Sequence, residues 1–249
     1  MTIQRRGVLG AAVAAAAGLA AGCGPDGRPR ARTVSPAGPA LSPPAAPHRL
    51  PAEVTHGPRA GRQVALTFHG AGEPRLARRL LDELAAGGAH VTVLAVGTWL
   101  EENPALARVI LDGGHELGNH TQHHGDIAAM SPAAAHAEIA QCADRLVRLT
   151  GSRGAWFRPS RARRATPMVR AMAARAGYPT CLSYDLDSAD AGDPGPGAVV
   201  RTVLGGVRAG SIVSMHFGHP GTLAAMPAIL GGLAARRLGP VTVSTLLAS

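Results

Sequence analysis

Residues 64–96 read VALTFHGAGEPRLARRLLDELAAGGAHVTVLAV and contain one complete strand–helix–strand unit. The apolar run Val64–Phe68 predicts a buried strand, and Pro74–Ala86, which is followed by two glycines, predicts a helix. A second apolar run, Val91–Val96, predicts the next strand. Because two strands joined through a helix normally pair in parallel, this stretch predicts an α/β fold.

The alternation of strand and helix continues to the C-terminus. Further strands are predicted at Glu116–Asn119, Trp156–Arg158, Cys181–Tyr184, Ser211–His216 and Val241–Val243. Further helices are predicted at Pro104–Leu111, Pro132–Thr150, Ala198–Val207, Thr222–Ala235 and from Pro167 onward. Seven strands joined by helices favour a (β/α) barrel of slightly fewer than eight units, with an open doubly wound sheet as the alternative.

In both architectures, ligands bind at the carboxyl ends of the strands. The sequence places its polar, chemically capable side chains at these ends: His69, His120, Arg158, His216 and the segment Asp185–Asp190. We therefore expect the functional site at this edge of the sheet.

Composition and charge limit the classes of partner. The 249 residues include 46% hydrophobic and only 3% aromatic residues, which allows a large core but few stacking surfaces. The net charge of +9 is uneven, since eight arginines and only two acidic residues lie in residues 1–62. Because this excess of positive charge lies in the predicted leader and the segment that follows it, we expect no nucleic-acid partner. No feature indicates a protein partner.

The N-terminus predicts export. Arg5 and Arg6 precede the apolar run Val8–Ala21, which is shorter than the roughly 20 residues that span a bilayer as a helix. The arginine pair indicates a twin-arginine-like signal. Cys23 follows small residues, as in a lipoprotein-like cleavage site that would anchor the protein at the outer face of the cytoplasmic membrane. Secretion, with an incidental cysteine, is the alternative.

The chain thus divides into an export signal (1–23), a Pro-rich disordered spacer (24–61) and one domain (62–249). The spacer is predicted from nine prolines within residues 24–62, each of which fixes φ and removes a backbone donor. Cys142 and Cys181 lie in the domain, either as a disulfide or as two buried free thiols.

The densest cluster of chemically capable residues is Gly114–Asp126, GHELGNHTQHHGD. His120 and His124 lie at a predicted strand end and in the loop after it, close enough to share one metal ion. Neutral imidazole is a common zinc ligand, and catalytic zinc usually has three protein ligands. Exposed loop histidines are the alternative interpretation.

These residues and four further segments resemble the polysaccharide deacetylases, the NodB-type carbohydrate esterases, over nearly all of residues 62–249. The matching segments are Ala65–Phe68, Gly97–Ile127, Phe157–Pro159, Tyr184–Asp190 and Ser214–His216. The resemblance implies a distorted, incomplete (β/α) barrel and metal-dependent removal of acetyl groups from sugars. The implied substrate is an acetylated polysaccharide such as peptidoglycan or a chitin-like polymer.

The resemblance also implies residue roles. His120 and His124 would bind a divalent metal ion, for which we expect zinc. His216 would be the acid that protonates the leaving amine, and Asp190 would orient it. Arg158 would hold the catalytic base, and Asp187 would shape the neighbouring loop.

The first motif departs from the family pattern. Two aspartates, the base and a metal ligand, should follow Phe68, but this chain has His69 and Gly70. His69 is therefore either a substitute base or the third metal ligand beside His120 and His124. Arg158, without an aspartate to hold, would bind a substrate carboxylate or phosphate, or pair with Asp185.

Three functions follow. The first is an exported, metal-dependent hydrolase that deacetylates a cell-wall or other N- or O-acetylated polysaccharide. The second is a catalytically inactive relative that binds glycan. The third is a hydrolase of the same fold that cleaves another amide or ester, because a fold does not determine its chemistry.

Overall fold

A computed structural model describes residues 50–248. The predicted export signal, with Cys23, and residues 24–49 of the predicted spacer lie outside the described residues. Within residues 50–248, no helix combines the length and apolar character that crossing a membrane requires.

Strands and helices alternate along the described chain. The strands are β1 (Glu53–Val54), β2 (Gln63–Gly70), β3 (Thr92–Ala95), β4 (Glu116–Asn119), β5 (Cys181–Leu182), β6 (Leu186–Asp187), β7 (Ile212–His216) and β8 (Gly239–Pro240). The helices are α1 (Pro74–Ala86), α2 (Gly97–Glu102), α3 (Ala105–Asp112), α4 (Pro132–Thr150), α5 (Pro167–Arg175), α6 (Pro196–Gly206), α7 (Pro220–Ala235) and α8 (Val243–Ala248). Two single 3₁₀ turns occur at Ile127–Ala129 and Asp190–Gly192.

The strands pair in parallel and form one curved layer. The order in the larger sheet is β4-β3-β2-β7-β6, with β8 beside the start of β2, and β1 pairs with β5. Two parallel bridges at Phe157, to Asn119 and to Cys181, connect β4 with β5. The result is the predicted α/β fold, a distorted and incomplete barrel of mostly parallel strands.

The central strand β2 is buried on both faces, as parallel strands covered by helices are. Leu66 and Phe68 pack in the layer between the sheet and helices, together with Leu80 of α1. Ala65 points to the opposite face and packs with Trp156. Because both faces of β2 are filled, its carboxyl end is held rigidly at the site.

Helix α4 fixes the position of the β4 end. Ser131 caps it by accepting a hydrogen bond from the Ala134 amide, and Gly151 ends it with a left-handed φ of 83°. The Ile139 carbonyl within α4 accepts a hydrogen bond of 2.8 Å from Asn119 Nδ2. The predicted helix is confirmed, and it ties the last residue of β4 to the core.

Three predicted boundaries are wrong. The predicted strand Trp156–Arg158 is reduced to bridges at Phe157, because this short segment pairs through one residue only. The predicted strand Val241–Val243 is replaced by β8 and the start of α8, where the Val243 amide donates to Thr92 Oγ1. The predicted spacer extends too far, since β1 lies within it and Arg59 forms an ion pair of 2.8 Å with Asp185.

Cys142 and Cys181 are both buried and free, so the disulfide alternative is wrong. The Cys142 thiol donates a hydrogen bond to the Ala95 carbonyl at 3.5 Å. Burial raises the pKa of each thiol to about 12, which keeps both protonated at neutral pH. Both therefore act as small core residues.

Candidate active site

A pocket of about 240 Å³ lies at the carboxyl ends of β2 and β7. The register of these strands sets His69 opposite His216, with ring centroids 4.4 Å apart. The residues that line the pocket are His69, His124, Pro159, Arg161, Ala162, Arg163, Tyr184, Asp187, Ser214 and His216. Of the predicted site residues, His69, His124, Asp187 and His216 line this pocket, whereas His120, Arg158 and Asp190 are buried and lie outside its lining.

His69, His120 and His124 form a cluster in which one ring nitrogen from each lies within 4.8 Å of the others. The ring centroids of His69 and His120 are 4.3 Å apart, and those of His120 and His124 are 4.9 Å apart. This spacing is compatible with one metal ion held by three imidazoles, the ligand number of a catalytic zinc site.

The hydrogen bonding of His120 supports this assignment. His120 is fully buried, and its Nδ1 lies 2.9 Å from the Arg158 carbonyl oxygen. Because a carbonyl only accepts, Nδ1 carries the proton and Nε2 has the free lone pair. Nε2 is buried and has no partner among the described residues. A buried imidazole oriented by a carbonyl, with its other nitrogen unpartnered, fits a divalent metal ligand.

The loop after β4 presents His124 through strained backbone. Thr121 and His124 have left-handed φ values of 68° and 58°. Asn119 Oδ1 accepts from the Thr121 amide at 2.9 Å, and Thr121 Oγ1 accepts from the His124 amide at 3.2 Å. Such strain persists where surrounding contacts enforce it, which is typical of functional sites.

All three clustered imidazoles are held neutral. Burial is the largest cause that lowers the pKa of His69 and of His120, and the positive charges of neighbouring histidines lower both further. For His120, the hydrogen bond to the Arg158 carbonyl opposes part of this lowering of the pKa. Burial also lowers the pKa of His124, followed by the positive charge of Arg161. A metal ion requires neutral imidazole, so these surroundings favour ligands over bound protons.

The half-buried His216 and the buried Asp190 form a pair on the other side of the pocket. Asp190 Oδ1 lies 2.7 Å from His216 Nδ1, and Oδ2 accepts from the His216 amide and from Thr222 Oγ1 at 2.8 and 2.6 Å. Burial pushes the pKa of Asp190 upward, but these hydrogen bonds outweigh it and hold the pKa below its ordinary value. The pair therefore has the geometry of an oriented proton donor and acceptor.

Arg158 is fully buried, and no carboxylate within residues 50–248 accepts a hydrogen bond from it. Its Nη2 donates to Thr67 Oγ1 at 2.8 Å and to the Ser183 carbonyl at 3.2 Å. Its Nη1 has no partner among the described residues, and burial lowers its pKa to about 10. The predicted alternative of a pair with Asp185 is wrong, because Asp185 binds Arg59 instead.

An aspartate at position 70, which the resemblance leads one to expect, would require β3 to shift. A Cβ at this position would lie 2.9 Å from Val93 Cγ1 and 3.0 Å from Ala95 Cα. The direction is toward β3, away from the pocket, because successive side chains of a strand alternate in direction. His69 is thus the residue through which the end of β2 reaches the pocket.

Asp187 and three unpredicted residues complete the surroundings. Asp187 is exposed, and its two oxygens accept from the Tyr184 hydroxyl at 3.1 Å and the Ala189 amide at 2.9 Å. Sequence reasoning missed Tyr184 as its donor, Thr67 as the acceptor for Arg158 and Thr222 as a donor to Asp190. Each is a single polar residue in an ordinary element, which gives no pattern to detect.

Comparisons with known proteins agree with this geometry. The profile of the polysaccharide deacetylase family matches residues 56–181. A chitooligosaccharide deacetylase from a Bradyrhizobium strain is 34% identical over 64% of this chain and 72% of its own length. A peptidoglycan-N-acetylglucosamine deacetylase from Bacillus cereus is 31% identical over 74% of this chain and 87% of its own length.

Solved structures show the same fold. A family 4 carbohydrate esterase from Streptomyces lividans, in complex with acetate, is 27% identical with a TM-score of 0.67, over 72% of this chain and 91% of its own. A CE4 family pseudoenzyme from Bacillus anthracis has a TM-score of 0.74 at 22% identity, over 80% of this chain and 69% of its own. Taken with the matched family profile, these likenesses show that the chain belongs to the polysaccharide deacetylase family.

Proposed function

We propose that this protein is a metal-dependent hydrolase that removes acetyl groups from an extracytoplasmic polysaccharide. The observation that carries the proposal is the buried Nε2 of His120, which has no partner among the described residues. His120 belongs to a cluster of three imidazoles, and the other two, His69 and His124, line the same pocket as His216. Relatives named for deacetylation of chitooligosaccharide and of peptidoglycan support the substrate class.

His69, His120 and His124 would hold the ion. We assign His69 the ligand role, because its ring lies beside His120 and Gly70 has no room for a ligating side chain. When bound, a divalent ion such as zinc polarises the acetyl carbonyl and acidifies a water molecule. Arg158 links β2 to the segment after β5 by donating to Thr67 Oγ1 and to the Ser183 carbonyl.

Proton transfer then falls to His216. Its Nδ1 is bound to Asp190, so Nε2 is left to give a proton to the departing amine or alkoxide. Asp190 keeps the ring in one orientation through its contact with Nδ1. The His216 amide and Thr222 Oγ1 donate to the other carboxylate oxygen and fix Asp190 in turn. Asp187 and Tyr184 hold the neighbouring loop at the pocket wall.

The location follows from the leader. We propose export through a twin-arginine-like signal that includes Arg5 and Arg6, with lipid attached at Cys23 or with secretion as the alternative. The active site would then lie outside the cytoplasmic membrane, where wall polysaccharide is found.

A glycan-binding relative without activity is the second candidate. Two observations favour it. No carboxylate among the described residues accepts a hydrogen bond from Arg158. His69 occupies the position at which the family pattern has a base. In that case the pocket would bind acetylated glycan without hydrolysis.

One experiment separates these functions. The purified full chain is stripped with chelator, then assayed for acetate released from N-acetylglucosamine oligomers and peptidoglycan with and without added zinc. Zinc-restored release supports the deacetylase. Absence of release from folded, zinc-loaded protein on both substrates contradicts it, and retained glycan binding would then favour the inactive relative.

A further inference from the structure

The pocket holds more positive charge than acetyl hydrolysis requires. Arg161 and Arg163 both line it, whereas Asp187 is the one carboxylate among its described lining residues. Asp190 is buried behind the pocket wall and is already paired with His216. The surface that meets a ligand is therefore dominated by cations.

Arg158 adds a third positive charge directly beneath. Its guanidinium is fully buried, with Nη1 unpartnered among residues 50–248, and its Cζ lies 5.3 Å from the centroid of Tyr184, a lining residue. Burial of this charge is unfavourable, and the nearby carboxylate of Asp187 offsets the cost only in part, since the pKa of Arg158 is still lowered. An anion in the adjacent pocket would offset this cost.

The choice of three imidazoles as proposed metal ligands increases the excess of positive charge at the site. Three neutral imidazoles leave both charges of a divalent ion uncompensated, whereas a carboxylate ligand would cancel one of them. A pocket with low-dielectric walls focuses such a field onto its ligand. The site as a whole is therefore selective for negative charge.

Arg163 is held at the pocket instead of extending freely into solvent. Its Nη2 donates to the Asp185 carbonyl at 3.1 Å, and its Cζ lies 5.0 Å from the centroid of the Tyr184 ring. Arg161 sits on the same loop at a left-handed φ of 55°, close enough for its charge to act on His124. Both guanidinium groups keep donors free for a ligand.

We propose that the substrate is an acetylated glycan that carries a carboxylate near the acetylated position, and that Arg163 and Arg161 bind this carboxylate. The inference rests on the proposed deacetylase function and narrows its substrate class. The planar fork of a guanidinium matches a carboxylate through two parallel hydrogen bonds. A neutral glycan would leave these cations without a counter-ion.

The test compares substrates in which the carboxylate is either present or replaced by a neutral amide. The zinc-loaded full chain is given a tetrasaccharide of alternating N-acetylglucosamine and N-acetylmuramic acid, and the same tetrasaccharide with its carboxyls converted to methylamides. We expect kcat/KM to be about tenfold or more higher for the carboxylate form, because hydrogen bonds to charged groups are the stronger ones. The preference should shrink as salt is added.

A second pair distinguishes the source of the carboxylate. O-acetylated oligogalacturonate carries it on the sugar ring, and its methyl ester is the neutral control. A preference for the charged member of either pair supports the inference and identifies which carboxylate is recognised. Equal kcat/KM within both pairs overturns it.

Variants connect the preference to the arginines. Arg163→Gln and Arg161→Gln should each lower the ratio of kcat/KM between charged and neutral forms. Arg164→Gln is the matched control, since Arg164 pairs with Glu53 and does not line the pocket, and it should leave the ratio unchanged. An unchanged ratio in both pocket variants contradicts the assignment.

Binding separates failure of this inference from failure of the proposed function. If no acetate is released, calorimetric titration of the same tetrasaccharides decides. Tighter binding of the carboxylate form that is lost in Arg163→Gln supports the inference while the deacetylase proposal fails. Acetate release at equal kcat/KM on charged and neutral forms supports the deacetylase proposal and contradicts the inference about the carboxylate.

Discussion

His120 and His216 contribute to the same site but differ in the partner of Nδ1. His120 Nδ1 donates to a neutral carbonyl, that of Arg158, and its Nε2 is buried without a partner. His216 Nδ1 pairs with the carboxylate of Asp190, which also accepts from Thr222. A carbonyl orients an imidazole and leaves it neutral, whereas a carboxylate stabilises its protonated form.

The difference assigns the two roles without reference to sequence position. A neutral, buried and oriented imidazole suits a metal ligand, and an imidazole beside a buried carboxylate suits proton transfer. His69 has no carboxylate partner among the described residues and lies in the three-histidine cluster, and we group it with His120 on these two observations. It differs from His120 in that its Nε2 lies 3.4 Å from Ser214 Oγ.

The largest effect is expected when the proposed metal ligand His120 is replaced. His120→Asn should remove stoichiometric zinc and lower kcat/KM by more than the roughly 10–100-fold typical of residues that only support ligands. Zinc content by mass spectrometry and acetate release measure both. His123→Asn is the matched control, since His123 is exposed and pairs with Glu138. Full zinc content in His120→Asn would contradict the ligand role.

A second variant tests the proton-transfer role of the His216–Asp190 pair. Asp190→Asn should lower kcat by roughly 100-fold while zinc content stays unchanged, because an oriented acid contributes about that factor. Asp193→Asn is the matched control, as Asp193 makes the equivalent pair with His219 at the rim. Loss of zinc together with kcat would show that Asp190 supports the ligands instead.

A third variant tests why His69, and not residue 70, serves the pocket. Gly70→Ala should lower the free energy of unfolding by about 1–3 kcal/mol through overpacking against Val93 and Ala95. Gly205→Ala places its Cβ in open space within α6 and should raise stability by about 0.5 kcal/mol. Chemical denaturation measures both. Unchanged stability in Gly70→Ala would show that Val93 and Ala95 of β3 can shift at little energetic cost, and would contradict the overpacking argument.

The smallest effect concerns acid stability. The pKa of Asp190 is lowered in the folded protein, so its stabilising contribution is complete above its unfolded pKa of about 3.9. The contribution is lost as pH falls through the lower folded value. The stability advantage of the metal-free protein over Asp190→Asn should therefore shrink as the pH falls below about 4. Denaturation at several pH values measures it, and parallel curves would contradict it.

The sequence predicted the parts of the molecule that depend on local pattern. The alternation of apolar runs and capped helices predicted the fold, and the cluster from Gly114 to Asp126 placed His120 and His124 together. β1 was missed because its pairing with β5 joins residues far apart in the chain, beyond a proline-rich segment.

The role of His69 could not be decided from sequence. Alternation along a strand predicts that residues 69 and 70 face opposite ways, but the space that Val93 and Ala95 fill beside Gly70 becomes visible only in the structure. The missing counter-ion of Arg158 depends likewise on tertiary contacts, since Asp185 was a plausible partner and binds Arg59.

The most direct test of the account is the zinc affinity of His69→Ala, measured by chelator competition beside the wild-type chain. His219→Ala is the control, because His219 packs near His216 but lies outside the three-histidine cluster. The account predicts that affinity falls by at least about 100-fold in His69→Ala and stays unchanged in His219→Ala. Full zinc affinity with lost turnover in His69→Ala would contradict it and make His69 the catalytic base.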